Sequence, residues 1–155
     1  MRRKDREVTD YSRMLDILHA CDCCRLGLVD DGEAYIVPMN FGIAQEEGNL
    51  ILYFHTATEG RKIDLLKKQT VVAFQADTAH RLQTGEAAND FSYYYACIMG
   101  KGTAELLSQP EDKIRGFQSI MAHYSPKTDW DFDLPCLDRV YVIKLTVTDW
   151  SSKVH

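Results

Sequence analysis

At 155 residues the chain is the size of one domain, and residues 1–155 read as a single unit with no repeat, low-complexity tract or linker. Apolar residues make up 45% and charged residues 26%, an ordinary globular balance, and no stretch approaches the roughly 20 apolar residues of a membrane span. A net charge of −5 argues against nucleic acid as a partner, because phosphate-backbone affinity rests on clustered Lys and Arg; a small anion held by a few local cations remains open.

The chain begins with the basic run Met1-Arg2-Arg3-Lys4, but Asp5 and Glu7 follow and no apolar core does. A signal peptide is therefore not expected, a cytoplasmic location is, and the run reads as a frayed lead-in. A helix is predicted over about Thr9 to Ala20, where Tyr11, Met14, Leu15 and Leu18 form one apolar stripe and Thr9 or Asp10 can cap it. Cys24 to Val29 reads as a strand, Asp30-Asp31-Gly32 as a hairpin turn, and Ala34 to Phe41 as the returning strand. Gln45 to Asn49 is the next turn. The run from Leu50 to His55 is apolar on both faces, which suits a central strand.

Thr58 to Lys68 reads as a helix with Ile63, Leu65 and Leu66 as its contacts, and Val71 to Ala76 as a buried strand. Residues 77–92 lack a period and read as a long loop. Tyr93 to Leu107 is a long strand bent at Gly100-Lys101-Gly102. Ser108 and Glu111 have capping-box spacing, ahead of a helix with Ile114, Phe117, Met121 and Tyr124 on one side. In the last strand Tyr141, Ile143, Leu145 and Val147 alternate with Lys144, Thr146 and Thr148. The sum is an α+β domain of about six antiparallel strands and three helices, with the strands curling toward a barrel to cover their edges.

Five cysteines, Cys21, Cys23, Cys24, Cys97 and Cys136, are an odd number, and Cys-x-Cys-Cys matches no common zinc spacing. No metal site is expected, and the thiols read as reduced and structural. His19 and the His123-Tyr124 pair end helices, where donors and cations suit the dipole, and Tyr93, Tyr94 and Tyr95 read as the core and rim of a strand.

Two segments carry chemistry. Arg61 and Lys62 fall in the first turn of their helix, where the macrodipole disfavours cations, while Lys67 and Lys68 occupy the favourable end. An anion in front of the helix, taking free N–H groups, the two cations and the hydroxyls of Thr56 and Thr58, resolves that conflict. Taken alone, the turn is more simply explained by Arg61 and Lys62 pairing with Glu59 or Asp64 in water. In the second segment Pro38 interrupts a strand ladder ahead of Asn40, which leaves backbone groups free for a flat polar ring or marks an ordinary edge strand.

Cys24-Arg25-Leu26-Gly27, Tyr35-Ile36-Val37-Pro38-Met39-Asn40-Phe41-Gly42 and Tyr53-Phe54-His55-Thr56-Ala57-Thr58-Glu59-Gly60-Arg61-Lys62 together resemble the pyridoxamine-phosphate-oxidase-like FMN-binding split barrels. Asp90-Phe91-Ser92-Tyr93 and Gly100-Lys101-Gly102-Thr103-Ala104-Glu105 extend the likeness toward their nitroimidazole-resistance branch, over nearly the whole chain. The resemblance implies a homodimer with FMN, or FAD as the alternative, at the subunit interface. Arg61 and Lys62 would clamp the phosphate, and the backbone of Val37, Pro38, Met39 and Asn40 would face the ring. His55 and Thr56 would lie near its edge, and Cys97, where relatives often carry serine, would come from the partner chain. The Arg-rich C-terminal segment of true pyridoxamine-phosphate oxidases has no counterpart in Asp149 to His155, so vitamer oxidation is not expected.

The function this implies is flavin-dependent reduction of a small electron-poor substrate, such as a nitroimidazole or another nitroaromatic, with His55 as proton donor. The other reading is a flavin- or haem-binding module without turnover, in which His55 could serve as an axial ligand.

Overall fold

A computed structural model describes residues 3–155; Met1 and Arg2, the start of the basic lead-in, lie outside the described residues. The strands are β1 (Glu7–Val8), β2 (Cys24–Asp30), β3 (Glu33–Met39), β4 (Gly42–Glu46), β5 (Asn49–Ala57), β6 (Val71–Gln83), β7 (Ser92–Leu107) and β8 (Val140–Val154). The helices are α1 (Tyr11–His19), α2 (Arg61–Lys68), α3 (Pro110–Tyr124) and α4 (Leu134–Leu137). All eight strands join one antiparallel sheet in the order β3-β2-β6-β7-β8-β5-β4, with β1 on β8. The sheet curls without closing, so the architecture is an α+β split barrel.

The split lies where β3 passes into β4. These strands end the sheet path at opposite sides, yet only Asn40 and Phe41 separate them. At about 3.8 Å per Cα step, the two free edges must meet at this corner. Phe41, fully buried, fills it, with its ring 6.4 Å from Phe54. Pro38 thus sits in an edge strand, where its missing N–H costs no second ladder.

The barrel core runs through Leu26, Leu28, Leu52, Phe54, Phe74, Ile98 and Leu145, with α1 contributing Met14, Ile17 and Leu18. Asp10 caps α1 by accepting from the Arg13 N–H at 2.8 Å. The β2–β3 hairpin turns at Asp31 and Gly32, both with positive φ. Strand β5 is buried on both faces because α3 covers the one that the barrel core does not, through Ile51, Tyr53, Val142 and Ile120.

Several elements depart from the sequence expectation. The lead-in is not frayed from Lys4 onward: Lys4–Arg6 is a 3-10 turn and β1 pairs with β8. The strand expected to run to Phe41 stops at Met39, and β4 follows at once, because the chain crosses the split there. Strand β6 is half-buried, with Val71 62% exposed, and it continues to Gln83 through a bulge at Thr78–Arg81 where Ala79 adopts φ 57°. This arm reads as loop in the sequence because both its faces meet water beyond the barrel rim. The Ser108–Glu111 capping box does not form. Pro110 takes the first helical position and makes Gln109 the N-cap. Helix α3 buries Lys113, Gly116 and Ile120, a stripe rotated from the expected one, and α4 is a further short helix.

Candidate functional site

Helix α2 begins at Arg61, three residues later than the sequence suggested, and its cap is Gly60 at φ 116°, ψ 167°. That backbone conformation is one only glycine adopts without strain. No side chain caps the helix, while the N–H groups of Ile63 and Asp64 already bond the Gly60 carbonyl. The opening N–H groups at Arg61 and Lys62 therefore face outward, where an anion is favoured. Ile63, Leu65 and Leu66 are buried and seat the helix against the barrel end.

The two cations are held differently. The Arg61 Nε–H donates to Asp30 Oδ2 at 2.6 Å, and its guanidinium lies 4.8 Å from the Tyr35 ring centroid. Both partners belong to the β2–β3 hairpin, so Arg61 pairs across the fold and with neither Glu59 nor Asp64. Lys62 has no carboxylate within ion-pair distance among the described residues. Its Nζ donates to Met39 Sδ at 3.6 Å, a weak acceptor. Burial lowers the Lys62 pKa from the ordinary lysine value. A half-buried, unpaired cation at an uncapped helix start, beside the barrel split, is a site that an anion would complete.

Strand β3 borders this corner with an inward row of Tyr35, Val37 and Met39, while Pro38 and Asn40 are exposed. The structure thus gathers Val37, Pro38, Met39, Asn40, Arg61 and Lys62 at one place. His55 and Thr56 end the neighbouring β5 on opposite faces, as period-two alternation requires. Thr56 is buried on the barrel side, and His55 faces α3 with its ring 5.6 Å from that of Phe117. Desolvation, followed by the nearby Lys62 charge, lowers the His55 pKa below its usual value and favours the neutral imidazole.

Cys97 lies elsewhere, on β7 between its ladder partners Asp77 and Lys153. Burial raises its pKa, and desolvation pushes the thiols of Cys21 and Cys24 up to about 12, so none of the three is a ready nucleophile. His123 and Tyr124 are structural as expected. The His123 Nε2 lies 2.8 Å from the Cys21 carbonyl, and Tyr124 bridges the Asp22 carbonyl and the Phe41 N–H.

The pairing of Asp30 and Tyr35 with Arg61 went unseen in the sequence, since nothing local ties them together. Another unforeseen cluster sits beside Cys97. Asp77 accepts from Arg25 and Gln75 and lies 2.6 Å from His80 Nε2. It adjoins a shallow, mainly apolar groove of about 390 Å3 bordered by Gly27, Ile36, Ala73 and Met99. Among the described residues, no helix is long and apolar enough to cross a membrane.

A curled, split antiparallel barrel is the architecture of the flavin-binding split barrels. The sequence matches the family described as pyridoxamine 5'-phosphate oxidase over residues 10–154, and the chain belongs to that family. Among solved structures it is similar to a protein of Bacteroides thetaiotaomicron assigned to 5-nitroimidazole antibiotic resistance. The two share 29% identity over 96% of this chain and 86% of that one, with a TM-score of 0.82. The same fold recurs in an FAD- and haem-binding protein of Mycobacterium smegmatis, at 20% identity over 96% and 73% of the two chains and TM-score 0.79. It recurs again in a flavocytochrome of Azotobacter vinelandii, at 22% identity over 100% and 72% and TM-score 0.76. No curated protein matches the chain by sequence.

Proposed function

We propose that this chain is a flavin-dependent oxidoreductase that binds FMN at the α2 corner and reduces a small electron-poor substrate of the nitroaromatic kind. The observation that carries the proposal is Lys62: an unpaired half-buried cation costs stability, and a phosphate on the free N–H groups of α2 offsets that cost. Lys62 is the principal phosphate ligand in this reading. Arg61 is the secondary one, because Asp30 already neutralises it. The exposed edge at Pro38 and Asn40 offers backbone groups to a flat ring, and Val37 and Met39 supply apolar contact.

A bound flavin supplies the redox chemistry. The chain's own residues position it, limit water and deliver a proton. His55 is the candidate donor, acting as imidazolium. Because its pKa is lowered, a step that needs its proton should slow as pH rises through a value below about 6.5. His55→Ala should abolish that dependence and reduce turnover roughly 10²–10⁴-fold while leaving flavin content intact.

A homodimer follows from the same reading. The outer sheet face exposes Ile36, Val71 and Met99 around the shallow groove, a surface apolar enough to seat a second copy and bring its Cys97 strand to the cofactor. Light scattering of the flavin-loaded protein should report twice the chain mass, and a stable loaded monomer contradicts the shared site.

The second reading, a flavin- or haem-binding module without turnover, draws on the solved relatives described as binding haem together with flavin. His55 is exposed and could offer a nitrogen to iron. An absorption spectrum of the purified protein and the mass of its released cofactor separate the two cofactors. Reduction of a nitroimidazole by the reduced protein separates enzyme from module. A Soret band without flavin absorbance overturns the first reading.

A further inference from the structure

His55, within reach of the Lys62 charge at the α2 corner, has a second surrounding on its α3 side. Between β5, α3 and the segment joining α3 to β8 lies a cavity of about 300 Å3. Its aromatic wall runs from His55 to Phe117 at 5.6 Å and on to Phe132 at 6.0 Å. Leu137 is buried at its base. The buried Lys113 fixes that base by donating from Nζ to the Leu137 carbonyl at 2.9 Å. The cavity is therefore a built feature of the fold.

The charges at its mouth have one sign. Asp131 and Asp133 line the mouth, and neither lies within ion-pair distance of a cation among the described residues. Asp133 accepts only the Cys136 thiol, Sγ to Oδ2 at 3.1 Å, and the acidity of that thiol is weakened in consequence. Lys113 is held at the buried base by the Leu137 carbonyl, and burial favours the neutral form of His55, so neither pairs with the carboxylates at the mouth. Apolar aromatic walls with two unneutralised acids at the rim favour a flat ring carrying positive charge at one end.

We propose that this cavity is the subsite for the electron acceptor and selects planar aromatic molecules with a cationic arm. The ring lies along Phe117 and Phe132 against His55, and the arm reaches Asp131 and Asp133. The proposal rests on the oxidoreductase reading for the word acceptor, while the charge preference stands on the cavity itself.

A matched pair of probes tests it: 4-nitrobenzylamine, cationic at pH 7, and 4-nitrobenzoate, anionic. Their dissociation constants are measured by calorimetry on the flavin-loaded protein at low ionic strength. Two exposed carboxylates, each worth roughly two- to fivefold, predict that the amine binds about tenfold more tightly than the benzoate. The gap should shrink in high salt and vanish in Asp131→Asn/Asp133→Asn. Phe132→Ala should weaken both probes alike.

Equal affinities, a preference for the benzoate, no binding of either probe, or a gap that survives the double substitution each overturn the proposal. Binding, not turnover, is the readout. If the purified protein takes up no flavin, the oxidoreductase reading fails on that count, and the same titration on the flavin-free protein still decides the charge preference.

Discussion

The two halves of the barrel divide its work. Through β6, β7 and β8 each strand has a neighbour on both sides, and the inward residues, such as Phe74, Ile98, Ala104 and Leu145, are simply core. At the split, β3 and β4 each lack a neighbour, and the unpaired cation of α2 gathers there with the exposed Asn40. A complete ladder satisfies the backbone groups of its strands, and among the described residues only the Ser152 hydroxyl on β8 is a buried side-chain polar atom without a partner. An interrupted ladder leaves backbone groups in need of partners, and a cofactor can meet that need. Stability should therefore reside in the closed half and ligand affinity in the corner.

The largest effect should come from the closed half. A Cβ on Gly102 would stand 2.2 Å from the Thr146 carbonyl oxygen, at the bulge between β7 and β8. Gly102→Ala should cost about 3 kcal/mol and lower the melting temperature by roughly 6–12 °C. The folded fraction should bind FMN as tightly as before. A large loss of affinity without loss of stability would erase the division between the halves.

Lys62→Met reverses the pattern. Removing one charge-assisted contact of about 2 kcal/mol should weaken FMN roughly 30-fold by calorimetry, with riboflavin unaffected. The flavin-free variant should melt slightly higher than the wild type, because a half-buried charge is gone. Equal loss for FMN and riboflavin would move the phosphate away from this corner.

Titration gives a third, smaller effect. Burial lowers the Lys62 pKa in the free protein, and a bound phosphate should raise it again. Binding therefore takes up a proton above that lowered pKa, and FMN affinity should fall as pH rises from there toward about 10.4. Lys62→Arg should flatten the curve, since guanidinium does not titrate in this range. A slope that persists in the arginine variant assigns the proton elsewhere. The smallest change belongs to Arg61→Ala, a two- to fivefold loss of FMN affinity, because Asp30 already holds that exposed guanidinium. A loss as large as that of Lys62→Met would show that Arg61 leaves Asp30 for the phosphate.

Much of this was legible in the sequence, and what was not has physical causes. Arg61 and Lys62 announce themselves by sitting at the wrong end of a helix dipole, a local signal. Their unequal roles depend on Asp30 and Tyr35, about 30 residues earlier, which pairing across the fold brings near. The α3 stripe was misjudged because its buried face includes Lys113, and a lysine satisfied by a carbonyl is invisible to an apolar period. His55 was singled out for its place near the ring edge; the structure brings it within reach of the Lys62 charge, and its cavity needs a segment some 80 residues later. The arm of β6 beyond the barrel carries no apolar alternation, so only its pairing with β7 reveals it.

The central claim is that the α2 corner is the phosphate site, and amide spectra test it most directly. The 15N-labelled protein, freed of cofactor, is titrated with FMN and separately with riboflavin. FMN should give its largest amide shifts at Gly60, Arg61 and Lys62, and riboflavin should leave those three amides nearly unmoved while shifting β3 residues near Asn40. FMN binding that leaves the Gly60–Lys62 amides in place would contradict the account.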